Sequence, residues 1–343
     1  MRDGAARPRG RATTRAGWLM VAPALALVVV FLVIPILMAL RVSTTSWNGT
    51  GSPFVAADAA PVGLAHYRTL LTGAGLVGSD FMTAVGNTTW YVLLVVPLQT
   101  ALALALALAV HSPGLRHRAV WRTLLYLPSV TSAVAVTAVF TLLFSSRGVV
   151  NAVLGAAGVE GPSWLLDPRG LLHLALGAVG VVEPGWGGHE LLGRPLWDWL
   201  AGPSVAMCVL VLLAVWTTSG TFMLVFLAAL QDLPQDVHEA AAVDGATGWR
   251  RLLWVTIPQL RTTITLVVML GLIGTWQVFD QVYATGGGAP GKTLLTPAYL
   301  AYALSFGQGE FGAGAAVAFL VCLLTLVFTA GHRVVVRLVE GRP

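Results

Sequence analysis

Six apolar runs, at residues 18–40, 85–110, 119–144, 203–230, 261–284 and 311–331, constrain this chain more than any other feature. Each is near or above the roughly 20 helical residues that cross a bilayer. In lipid such a run must pair its own backbone N–H and C=O groups, so each predicts a transmembrane α-helix. The balance of 56% hydrophobic against 10% charged residues excludes an ordinary soluble enzyme. A seventh apolar run, 170–182, is only about half a bilayer long. The polar EPGWGGHE follows it, and it predicts an external or interfacial helix. The expected fold is an all-α membrane protein with six transmembrane helices. Its parts are a basic tail (1–17) and a transmembrane domain (18–343), the latter with a long external loop (145–202) and a second long loop (231–260).

The arginines orient it. Six spans put both termini on one side, with Arg2, Arg7, Arg9, Arg11, Arg15, Arg116, Arg118, Arg122, Arg250, Arg251, Arg261, Arg333, Arg337 and Arg342. The other side keeps Arg41, Arg68, Arg147, Arg169, Arg194 and Lys292. Fourteen cations against six, by that count, place both termini in the cytoplasm by the positive-inside rule. The net charge of +5 then reflects topology and contact with anionic membrane lipid rather than nucleic acid. The first run reads as an anchor rather than a cleaved signal. It is too long, holds Pro23 and Pro35, and lacks a small-x-small cleavage site. Cys208 and Cys322 fall inside spans and read as small buried residues.

Residues 286–293, GGGAPGKT, match the phosphate-cradling pattern G-x-x-x-x-G-K-[ST] at Gly286, Gly291, Lys292 and Thr293. Such a loop needs a strand before it and a helix opening after it. Here the match follows a membrane helix, carries Pro290 where N–H donors are required, and falls on the external side. No other segment reads as an apolar strand ending in the acidic pair of a nucleotide hydrolase. The chain is expected to hydrolyse no ATP and to bind no cofactor.

The second long loop, QDLPQDVHEAAAVDGATGWRRLLWVTIPQLR, predicts a helix-glycine-helix elbow. Pro234 suits a first turn, Gln235 to Val243 continue it, and Gly245 ends it in a left-handed cap. Thr247 then caps a second short helix that stops before Pro258. Ala240, Ala241 and Ala242 beside Glu239 and Asp244 form a surface that a partner can approach closely. An ordinary interhelical loop capped by Gly and Pro accounts for the same pattern.

The stretch EAAAVDGATGWRRLLWVTIP resembles the EAA motif of permease subunits of binding-protein-dependent ABC importers, with Glu239, Ala240, Ala241, Asp244, Gly245, Ala246, Ile257 and Pro258 at motif positions. Further stretches are similar to the carbohydrate importers, in particular the maltose-type first permease subunit: WLMVAPALALVVVFLVIPILMAL, LPSVTSAVAVTAVFTLLFSSRGVVNAVLGAAG and WQVFDQVYATGGGAP. GGGAPGKT then corresponds to that group's external turn. Residues 167–200 are longer than the usual external connection, and Ile257 replaces a leucine. The resemblance implies a permease forming half of a path for a sugar delivered by an extracytoplasmic binding protein. It also implies a second permease subunit and two cytoplasmic ATPase subunits that bind ATP-Mg. The elbow would be the cytoplasmic EAA coupling helix.

An ion-gradient-driven secondary transporter is the rival. It would bury ionisable relays at mid-membrane, at roughly 2.5–3.5 kcal/mol each on insertion scales. Asp280, near an external helix end, is the main candidate here. A membrane-embedded enzyme or metal site would draw on His173, His189, Glu183 and Glu190, whose spacing matches no metal motif. Candidate path residues are Trp216, Thr218, Trp276, Gln277 and Asp280, with Thr217, Ser219, Thr221, Tyr283, Asn87, Trp90 and Tyr91 around them. Aromatic faces cover sugar C–H groups while amides and hydroxyls pair with sugar hydroxyls. Hydrogen-bonded glue between helices explains the same residue types.

Overall fold

A computed structural model describes residues 11–341 apart from 113, 182, 183 and 186. Arg2, Arg7, Arg9, Arg342 and Glu183 therefore lie outside the described residues, as does most of the basic tail. Among the described residues four helices are long and apolar enough to cross a membrane: Gly17–Val42, Gly75–His111, Val205–Gln231 and Phe311–Leu338. Two bent pairs, Arg118–Val130 with Ala133–Leu143 and Gly248–Gln259 with Arg261–Trp276, bring the number to six if each pair is one span.

The helical core is built on Gly75–His111, 37 residues and about 55 Å at 1.5 Å per residue. It packs against Val205–Gln231 and Arg261–Trp276, and the latter packs in turn against the Phe311–Glu340 helix. Small residues let the backbones close up: Ala103 and Ala107 are fully buried beside Met223, Phe226 and Val267. A second cluster joins Tyr91 and Val95 to Met207, Leu210 and Val278, and a third sets Trp276 against Val92 and Val96. Ser204 caps the 205–231 helix, its Oγ accepting from the Met207 N–H at 3.0 Å. The first helix is different. Its apolar window buries nothing within the chain, and only its end near Val42 joins the core.

Prolines shape the helices without always ending them. The second elbow helix does not stop before Pro258, as the sequence predicts; it runs through Gly248–Arg251, a π-helical turn Leu252–Thr256 and Ile257–Gln259. The wide turn pairs the Ile257 N–H with Leu252 O, five residues back, which makes room for a ring with no N–H of its own. The bend of 70° comes afterwards, before Arg261. The same device precedes Pro35, where the Ile34 N–H reaches Val29 O. In the 119–144 run the helix instead breaks at Thr131 and Ser132, neither of them helical, and turns by 94°. In the 261–284 run it lapses at residues 277–279 before Asp280–Ala284.

The 167–200 stretch folds onto the start of the 75–111 helix. It holds the short helices Leu171–Ala178 and Leu196–Trp199, and a minimal antiparallel pair, Glu190–Leu191 with Arg194–Pro195. Trp90 Nε1 donates to Trp199 O at 3.4 Å, and the Arg194 guanidinium lies 5.3 Å above the Trp199 ring. The His173 ring stacks on Trp197 at 4.5 Å, with Nε2 3.0 Å from the Trp197 carbonyl. Hydrogen bonding to the Arg169 guanidinium holds the Asp167 carboxyl below its usual range.

Candidate functional site: a polar cavity and an exposed elbow

A cavity of about 390 Å³ opens where three helices meet. The 75–111 helix supplies Tyr91, Val95 and Gln99; the 205–231 helix supplies Ala214, Thr218 and Phe222; Gly271, Thr275, Gln277, Phe279, Asp280 and Gln281 complete it. Thr218 Oγ1 donates to Gln99 Oε1 at 2.7 Å, and Thr275 Oγ1 donates to Gly271 O at 2.8 Å. A smaller cavity of about 300 Å³, lined by Ser129, Thr131, Ala133, Thr217 and Thr221, shares Thr218, Phe222 and Gln281 with it. Both helix breaks thus reach the cavity walls: Thr131 on one side, Gln277 to Phe279 on the other. Irregular backbone at membrane depth is tolerated where it lines such a space.

Of the five candidate path residues, the fold brings Thr218, Gln277 and Asp280 to this cavity and leaves two elsewhere. Trp276 is fully buried, stacked on Phe328 at 4.7 Å among Val92 and Val96. Trp216 is 46% exposed, with its ring 5.6 Å from Phe140. Among their neighbours, Thr217 and Thr221 line the smaller cavity and Tyr91 the larger. Ser219 Oγ donates back to Val215 O of its own helix, and Tyr283 stands half exposed beside Phe279. Asn87 binds the 286–293 turn through Lys292 O at 2.8 Å and Leu295 O at 3.1 Å. Gln99 escapes the sequence reading, although it is the one amide in VVPLQTALALALALAV.

The 286–293 turn is no phosphate loop. It follows the helix Asp280–Ala284, Gly286, Gly287, Gly288, Gly291 and Lys292 have positive φ, and the next helix begins only at Pro297. Lys292 Nζ pairs with Asp80 at 2.5 Å.

The elbow has the expected cap. Gln235–Val243 ends with the Ala246 N–H on Ala241 O at 2.8 Å and the Gly245 N–H on Ala242 O at 3.1 Å, with Gly245 at φ +77°. This paired closure needs a residue that accepts the left-handed conformation. Ala241 is turned inward, whereas Glu239, Ala240, Ala242, Val243 and Asp244 are exposed, as is Pro258. Ala246 and Ile257 are half-buried. Thr247 has the extended backbone of a cap but makes no side-chain capping bond. Trp249 and Trp254 are 70% and 79% exposed, so the elbow leaves a broad unpaired surface within this chain.

Residues 99–341 match the family described as the binding-protein-dependent transport system inner membrane component. The chain is 31% identical over 321 residues to the lactose transport system permease protein of Rhizobium radiobacter, covering 91% of each. It is 28% identical to the trehalose/maltose transport system permease protein of Thermococcus litoralis over 315 residues, 91% of this chain and 90% of the relative. A solved bacterial alginate ABC transporter, in complex with an alginate pentasaccharide-bound periplasmic protein, has the same fold: TM-score 0.71 and 19% identity, covering 96% of this chain and 97% of that one. These likenesses leave no support for an ion-gradient-driven transporter, and they place ATP hydrolysis outside this chain. The chain belongs to the inner-membrane permease components of binding-protein-dependent ABC transport systems.

Proposed function

We propose that this chain is the sugar-conducting permease of an ABC importer, working with a second permease subunit and two cytoplasmic ATPase subunits that bind ATP-Mg. It spans the membrane six times with both termini in the cytoplasm, each bent pair counting as one span. The observation that carries the solute class is the cavity. It mixes Tyr91 and Phe279 with the amides and hydroxyls of Gln99, Thr218, Thr275, Gln277 and Gln281, which suits a hydroxyl-rich neutral solute. The relatives named for lactose and for trehalose and maltose point the same way. A binding protein delivers the sugar from outside. Thr218, Gln277 and Asp280 touch it, while Trp276 packs the helices together.

Coupling passes through the EAA elbow. Its exposed surface carries the carboxylates of Asp236, Glu239 and Asp244 beside small alanines, so a groove of the ATPase can come close and offer a basic partner to Glu239. Asp244, Gly245 and Ala246 form the closing turn, and the π turn before Ile257 and Pro258 joins the elbow to the 261–276 helix that reaches the cavity. Motion at the elbow then reaches the cavity wall across the 70° bend before Arg261. The test is ATP-dependent uptake by the purified complex in liposomes, with its binding protein, of labelled lactose, maltose, trehalose and arabino-oligosaccharides. Uptake of one or more of these is expected; uptake of none would remove the sugar reading.

A further inference from the structure

Gln99 lies about two-thirds of the way along the apolar 75–111 helix with 1% of its surface exposed, yet its amide is only half satisfied. Oε1 accepts from Thr218 Oγ1, while Nε2 has no partner among the described residues. An amide serving only as glue between helices would have both ends paired, because lipid and packed side chains offer nothing else to bond. The third wall is fitted to it: a Cβ on Gly271 would lie 2.3 Å from Nε2, so a glycine is what leaves the amide its place.

The consequence falls on Thr218. Its Oγ1 is 2.7 Å from both Gln99 Oε1 and Ala214 O, and a hydroxyl has one hydrogen to give. Neighbouring Thr217 has no such competitor and donates back to its own helix, to Leu213 O at 2.9 Å. Whichever of Gln99 Oε1 and Ala214 O takes it, the Thr218 hydrogen stays on a protein group, and what Thr218 Oγ1 offers the cavity is a lone pair.

We propose that Gln99 is a positioning residue of the solute site, fixing the Thr218 hydroxyl as an acceptor for a hydroxyl group of a neutral solute, with Gly271 keeping the space that this arrangement needs. It rests on the sugar reading above. Its test is a double-mutant cycle, Gln99→Met, Thr218→Val and both together, in the complete complex in liposomes. The probe is whichever of labelled lactose, maltose or trehalose the wild type takes up. Each single variant should raise the apparent KM about tenfold with the maximal rate nearly kept, as expected for the loss of one hydrogen bond made equally in ground and transition states. The double variant should be no worse than Thr218→Val alone. Gly271→Ala, which displaces the amide without removing it, should raise KM in the same direction. Additive effects in the double variant, or a fall in assembled complex with KM unchanged, would mark Gln99 as packing and overturn the proposal. Uptake of none of the three sugars by the wild type overturns the sugar reading, and this inference with it.

Discussion

Trp276 and Thr218 carry the same sequence argument for a sugar path, and burial separates them. The Trp276 ring fills space against Phe328, Val92 and Val96, so Trp276→Ala opens a cavity and should destabilise by about 3–5 kcal/mol. The expected outcome is a lower amount of assembled permease in membranes, measured by quantitative blotting. Full abundance with uptake lost would instead return Trp276 to the path. Lys292 illustrates the converse, a residue whose motif promises chemistry that its surroundings do not supply. It is half exposed and pairs with Asp80, so Lys292→Ala should change stability by no more than about 1 kcal/mol. ATP hydrolysis by the complex should stay at the wild-type rate; loss of nucleotide binding would contradict the placement.

At the scale of elements, the apolar runs made most of the helices legible, because each must satisfy its own backbone in lipid whatever packs beside it. The breaks were not legible. Nothing in 119–144 marks Thr131 and Ser132 as the break, since Pro128, the residue that would be expected to end the helix, is tolerated inside it. Pro258 misled in the other direction, because a π turn absorbs its missing donor. Gln99 stayed hidden for a related reason: its partners, Thr218 and Gly271, are more than a hundred residues away, and only packing brings them together. The elbow cap was readable, since Gly245 answers a local backbone need. It also yields a prediction. A Cβ on Gly245 meets nothing within 4 Å among the described residues, so the crowding proposed there comes from a partner. Gly245→Asn keeps the left-handed turn, whereas Gly245→Val opposes it by about 1–2 kcal/mol. Both should lose the ATPase subunit during purification if a groove closes over the turn. Retention of the ATPase by Gly245→Asn would confine the glycine to its own cap.

For the whole molecule, orientation and coupling are linked, because the proposed contact of the elbow with a cytoplasmic ATPase requires the elbow to lie on the cytoplasmic side. A cysteine scan tests the orientation. Ala289→Cys is preferred to a change at Gly287, where a Cβ would meet the Tyr299 hydroxyl at 2.0 Å. In intact cells a cysteine at Ala289 should react with an impermeant thiol reagent and one at Gln235 should not; the reverse pattern would invert the topology. The central claim, that this permease moves sugar under the control of its elbow, is tested most directly by ATP-dependent sugar uptake in proteoliposomes for wild type and Glu239→Lys. The exposed carboxylate becomes a cation, which against the proposed basic groove replaces attraction by repulsion without disturbing the core. The account predicts uptake by the wild type, and a Glu239→Lys permease of normal abundance that takes up no sugar and retains its ATPase weakly. Wild-type uptake by Glu239→Lys with the ATPase firmly bound would contradict it.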